Sequence, residues 1–173
     1  MAIKKILTYP DPVLRQKTEA VTSFDDSLKQ LARDLAETMY NAPGAGLAAN
    51  QIGVCLRVVV IDVSAGEDVK KPLVLVNPEI IEKEGCQIDE EGCLSVIEYT
   101  AKVERYSKLL IRAQDLDGKT WEFPAEEFFA RVIQHELDHL DGILFIDRLS
   151  PLKRTIYKKR LKKILRDQEE GSS

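Results

Sequence analysis

Two histidines four residues apart, His135 and His139, enclose a glutamate in His135-Glu136-Leu137-Asp138-His139. Residues at this spacing share one face of a helix, so both imidazoles can reach a single metal ion. Glu136 adjoins the first and is placed to bond a water on that ion without ligating it. These are the only histidines in the chain. The chemistry implied is metal-dependent hydrolysis of an amide; the plain alternative is two partly exposed histidines on a surface helix.

A catalytic site of this type takes three protein ligands and leaves a position for water. With no histidine remaining, Cys93 in Glu90-Glu91-Gly92-Cys93-Leu94-Ser95 is the candidate third ligand. Gly92 allows close backbone approach there, and a strand able to pack on the helix follows. Cys55 and Cys86 lie beside predicted strands and read as core or inert thiols, but spacing alone does not choose Cys93 over them. Three cysteines at irregular spacing form a poor disulfide framework and suit a reducing compartment.

The elements that must position these residues follow from periodicity. Ser23 fits a helix N-cap, and Leu28, Leu31, Leu35 and Met39 recur at helical spacing until Pro43 and Gly44. A glycine-bearing loop, 44–51, comes next. Segments 57–63 and 73–77 are rich in β-branched residues, and 108–114 and 119–123 flank Asp115-Leu116-Asp117-Gly118, a hairpin signal. Pro124 precedes a helix over 125–141 that carries the histidines. Its apolar face is expected from Phe128, Phe129, Val132, Ile133, Leu137 and Leu140, with Gly142 at its C-terminal cap. A short strand at 143–146 and a terminal helix from Pro151 complete the order. The expected fold is α+β, a mostly antiparallel sheet packed around a central helix bearing the histidines, with a C-terminal helix.

The 173 residues, 44% apolar and 31% charged, suit one catalytic domain spanning 1–173. No apolar run is long enough to span a bilayer, and the N-terminus turns polar at Thr8-Tyr9-Pro10, so a cytoplasmic protein is the default. Charge is uneven. Segment 153–166 holds eight basic residues and no acidic one; with −4 on the whole chain, the remainder carries −12. The basic segment also places Ile156, Tyr157, Leu161, Ile164 and Leu165 on one side. It reads either as a terminal helix docked by its apolar stripe or as a surface for a polyanion. Residues 169–173 look frayed.

Three segments together resemble the signature motifs of peptide deformylases: Gly44-Ala45-Gly46-Leu47-Ala48-Ala49-Asn50-Gln51, Glu91-Gly92-Cys93-Leu94-Ser95 and Gln134-His135-Glu136-Leu137-Asp138-His139-Leu140-Asp141-Gly142. They stand in the family's order, and Tyr9-Pro10-Asp11-Pro12-Val13-Leu14-Arg15 resembles family N-termini, so the similarity runs from about residue 3 to 150. The resemblance implies removal of the formyl group from formylmethionine of new polypeptides in a bacterial cytoplasm. It implies metal ligation by Cys93, His135 and His139, commonly of Fe2+ in cells, with Zn2+, Ni2+ or Co2+ able to substitute. It further implies Glu136 as general acid/base, Gln51 and the Leu94 N–H as oxyanion donors, and Gly46 as a substrate-backbone contact. Ribosomal RNA near the tunnel exit is the implied partner of the basic helix; neither a membrane nor DNA is expected. Ile97 and Thr100 depart from the family pattern, which often has proline and a basic residue there, and this leaves the substrate residue preference open. A general metallopeptidase and a non-catalytic metal- or ribosome-binding protein are the competing readings. The intact Glu136 speaks against the latter, since a structural site needs no base.

Overall fold

The protein is described by a computed structural model covering residues 3–64 and 70–171. A 3-10 turn at Pro12–Arg15 precedes helix α1 (Asp26–Asn41), strand β1 (Gly46–Ala48) and a second 3-10 turn, Ala49–Ile52. Six strands follow: β2 (Val58–Ile61), β3 (Leu73–Glu84), β4 (Gln87–Cys93), β5 (Val96–Arg105), β6 (Lys108–Gln114) and β7 (Thr120–Glu126). Helix α2 (Glu127–Leu140), a 3-10 turn at Phe145–Arg148 and helix α3 (Pro151–Gly171) end the chain. The strands form an antiparallel five-stranded sheet, β1-β2-β3-β6-β7, and a separate β4-β5 hairpin. This is the α+β architecture expected, with the histidine helix after the sheet in sequence.

The uninterrupted apolar run of β2 has a simple cause: both faces of the sheet are covered there. Val59 and Ile61 pack with Ile133, Leu137 and Leu140 of α2. Val58 and Val60 pack with Leu28, Leu31, Leu35 and Met39 of α1. A third cluster seats Tyr157 and Leu161 of α3 against Val96, Val103 and Phe145. Phe145 of that cluster also stacks on His135, which joins the hairpin and α3 to the side of α2 that carries the histidines.

Several local expectations are corrected. Asp25, not Ser23, caps α1, its carboxylate accepting the Leu28 N–H at 3.2 Å. Loop 44–51 contains β1 and a 3-10 turn. The strand expected at 57–63 is shorter, and the one at 73–77 runs on to Glu84 through a bulge at Asn77, whose φ is +50°. Pro124 lies inside β7, where an edge position requires no N–H from it. The strand expected at 143–146 gives way to a 3-10 turn, because the Asp147 carboxylate accepts the Leu144 N–H at 2.9 Å. Phe128, placed on the apolar face of α2, is 57% exposed. Residues 169–171, expected to fray, are helical, while Ser172 and Ser173 lie outside the described residues.

Candidate active site

Helix α2 brings His135 and His139 onto one face with their Nε2 atoms 3.3 Å apart. Gly142 ends it with φ at +77°, the left-handed conformation that glycine adopts without penalty. Cys93 ends β4 at a bulge in the hairpin: Gly92 pairs with Thr100, but Cys93 pairs with Val96. Residues Ile97, Glu98 and Tyr99 are extruded between those pairs. The Cys93 Sγ lies 3.3 Å from His139 Nε2 and accepts the Ser95 N–H at 3.4 Å. Three donor atoms, one from each side chain, all fall within 4.8 Å of one another. Tetrahedral ligands at about 2.0–2.3 Å from an ion stand roughly 3.3–3.7 Å apart, so this trio fits a divalent metal. Spacing left the cysteine open; the fold brings the Cys93 sulfur to the imidazoles and keeps the other two away. Cys55 instead faces the Lys17 carbonyl, and Cys86 is exposed beside Glu104.

A carboxylate that the sequence reading passed over holds this trio in place. Glu91 accepts His135 Nδ1–H at 2.9 Å, which turns the Nε2 lone pair toward the cysteine. The same carboxylate takes both a bidentate pair from Arg105, at 2.8 Å each, and Arg131 Nη1. Arg105 also reaches Asp138 inside the helix motif, and Arg148 closes on Asp138 from outside. Burial alone would push the Glu91 carboxyl up, but hydrogen bonds from Arg105 and His135 outweigh it and hold it at about 2. A carboxylate depressed below its ordinary 4.5 contributes stability that is fully present above that value and is lost as pH falls toward 2. The shift corresponds to about 3 kcal/mol. Acid unfolding of the wild type should therefore steepen between pH 4.5 and 2, and Glu91→Gln should start less stable and flatten that dependence. Parallel pH–stability curves for the two proteins would refute this.

The two imidazoles are pushed in opposite directions. Burial opposes charge on His135, yet the neighbouring Cys93 and Glu91 raise it well above its ordinary pKa. Burial and then His135 itself push His139 well below. Phe145 stacks behind His135 with ring centroids 6.1 Å apart, and Asn50 Nδ2 donates to the His139 carbonyl.

Glu136 is 3% exposed, with Oε1 3.9 Å from His135 Nε2. Burial pushes its carboxyl up to about 7, where a group exchanges protons readily at neutral pH. Gly46 on β1 abuts it: a Cβ there would stand 2.9 Å from Glu136 Cγ and 3.0 Å from Cδ. Gly46→Ala should displace this carboxylate and reduce kcat by about tenfold or more, with metal content unchanged. Wild-type turnover in that variant would remove this constraint. Gln51 is buried, its Oε1 accepting the Ala48 N–H at 2.9 Å. Its Nε2 points to Ser95 Oγ at 3.0 Å and Cys93 Sγ at 3.8 Å. Leu94 lies beside Cys93, its side chain against Gly44.

Gly46, Gln51, Cys93, Leu94, His135 and Glu136 line one cleft of about 530 Å³ between β1, the hairpin and the first turns of α2, and His139 stands behind that lining. Thr100 lines it; Ile97 does not.

Comparison with known proteins agrees with this geometry. The family model for polypeptide deformylase matches residues 3–155. The chain belongs to the peptide deformylase family. A peptide deformylase of Desulfotalea psychrophila is 57% identical over 94% of this chain and 97% of its own length. That of Acidobacterium capsulatum is 51% identical over 96% and 98%. The crystal structure of a peptide deformylase from Legionella pneumophila superposes with a TM-score of 0.89 at 46% identity, covering 97% of this chain and 98% of its own. The chain is thus an enzyme, a hydrolase of the peptide deformylase class, and every residue of the cleft described above lies within the matched span. Among the described residues, no helix is long and apolar enough to cross a membrane.

Proposed function

We propose that the chain, acting as one catalytic domain over 1–173, removes the formyl group from the N-terminal formylmethionine of nascent polypeptides. The observation that carries this reading is the convergence of Cys93 Sγ and two imidazole nitrogens beside the buried Glu136 carboxylate. Cys93, His135 and His139 hold the metal, Fe2+ in cells, with Zn2+, Ni2+ or Co2+ as substitutes. A divalent ion so held supplies Lewis acidity and lowers the pKa of a coordinated water toward neutrality. Glu136 takes the proton of the attacking water at its carboxylate and returns it to the departing methionine amine. The carbonyl oxygen gains charge as the attack proceeds, and the Gln51 amide and Leu94 N–H donate to it. Gln51 is held for this by its bonds to Ala48 and Ser95, so little reorganisation is needed. Gly46, on the free edge of β1, accepts the substrate backbone as an added strand. Deformylation of formyl-Met-Ala-Ser, with no cleavage of the unformylated peptide, is the expected result. Cleavage of internal peptide bonds instead would favour a general metallopeptidase.

The likeness to bacterial enzymes supports a bacterial cytoplasmic setting. There α3 presents a basic face to ribosomal RNA. Lys158, Lys159, Lys162 and Lys163 are exposed, whereas Tyr157 and Leu161 are buried. Replacing the four lysines by glutamate should abolish co-sedimentation with ribosomes, and wild-type binding should fall steeply with salt. Undiminished co-sedimentation of that variant would end this reading.

A further inference from the structure

We propose that the main-chain N–H groups of Leu7 and Tyr9 position the oxyanion donors, an inference that rests on the deformylase reading of the cleft. Those donors come from separate elements. Gln51 stands on the 3-10 turn Ala49–Ile52, and Leu94 on the turn between β4 and β5. The N-terminal segment joins the two from behind. The Leu7 N–H donates to the Gln51 carbonyl at 2.7 Å, and the Tyr9 N–H donates to the Ser95 carbonyl at 2.7 Å. Alternate N–H groups of an extended chain point to the same side, so residues 7 and 9 reach both elements along one edge. Among the described residues, the Thr8 N–H between them makes no main-chain bond.

Both elements need a tie from outside. A four-residue 3-10 turn has poorer hydrogen-bond geometry than an α-helix and little stiffness of its own. Within it, Gln51 Oε1 accepts the Ala48 N–H, and one Nε2 proton goes to Ser95 Oγ at 3.0 Å. The second Nε2 proton has only the Cys93 sulfur, 3.8 Å away, and is the one left for a substrate oxygen. Its direction depends on where the main chain of Gln51 stands relative to that of Ser95. The carbonyls of these same two residues are the ones held by Leu7 and Tyr9.

This strap is itself fastened at both ends. The Lys4 N–H donates to Thr38 Oγ1 of α1 at 2.9 Å, and Ile6 packs in the cluster beneath α1. At the other end the Tyr9 ring lies 6.3 Å from that of Tyr157 on α3, with the Arg15 guanidinium 5.4 Å from its centroid. None of residues 3–10 lines the cleft. The strap therefore does not touch substrate. What it contributes appears in the transition state, where the carbonyl oxygen carries charge and the placement of its donors counts most.

The test removes one N–H at a time from the full chain, by placing the α-hydroxy acid analogue of the residue at position 7, 8 or 9 through nonsense suppression. The ester so formed keeps the side chain and deletes the donor. With metal-loaded enzyme and formyl-Met-Ala-Ser, the esters at positions 7 and 9 are each expected to lower kcat by about five- to tenfold, with KM and bound metal unchanged. The ester at position 8 should match the wild type. In a Gln51→Ala background the position 7 ester should cost less than about twofold, because the group it aims is gone. Unchanged kcat at position 7 or 9 overturns the proposal. So does an equal loss at position 8, a loss that falls on KM or metal content, or a loss undiminished in Gln51→Ala, each of which marks a merely structural role. No turnover of the peptide by the wild type would overturn the deformylase reading itself, and this inference with it.

Discussion

Glu136→Gln is expected to lower kcat on formyl-Met-Ala-Ser by about a thousandfold, within the range that a positioned acid–base group supplies. The substitution is nearly isosteric, so the contact with Gly46 and the packing of α2 persist. Glutamine cannot take the proton of a water or hand one to a leaving amine. The metal trio does not include this side chain, so bound metal should remain at one equivalent. Full activity would break the proposed mechanism. Loss of the metal would show instead that Glu136 belongs to the binding site, not to the proton path.

Removing the metal should have the second large effect. Chelation is expected to abolish turnover, since Lewis acidity contributes several kcal/mol, a factor of roughly a thousand or more. Ferrous, zinc, nickel or cobalt ions should restore it. The donor set adds a finer expectation, because a thiolate and a ferrous ion are both open to oxidation. Enzyme reloaded with iron should lose activity in air while the nickel and zinc forms endure. Equal decay of all three in air would count against it, and activity that survives complete chelation would remove the metal from the reaction.

What could be read from the residues, and what could not, divides along physical lines. The histidine pair was legible because a four-residue spacing on a helix is itself a geometry. Cys93 needed the family resemblance, since three cysteines beside strands are equivalent until the hairpin bulge turns one sulfur toward His139. Glu91, Arg105 and Arg131 were missed because charged side chains read as surface. Here both guanidinium groups are buried with the Glu91 carboxylate that they bond, and no periodicity announces that. Charge also hid β4, whose alternation is masked by Asp89 and Glu90 on exposed positions, although a strand after Cys93 was expected. Phe128 misled in the opposite sense: its helical phase matched the core, but the first turn of α2 borders the cleft. Pro124 was read as a helix start because its φ suits one; an edge strand accepts the same φ.

Helix α3 carries one last consequence. Its ring at Tyr157 lies 4.7 Å from that of Tyr99, a residue of the substrate cleft, and no part of it reaches solvent. A protease cut or a stop codon after Ser150 would therefore do more than discard a tail. It would pull a plug from behind the wall that guides the peptide. Purification tags belong beyond Gly171, and shortened versions of the chain are poor stand-ins for the intact enzyme.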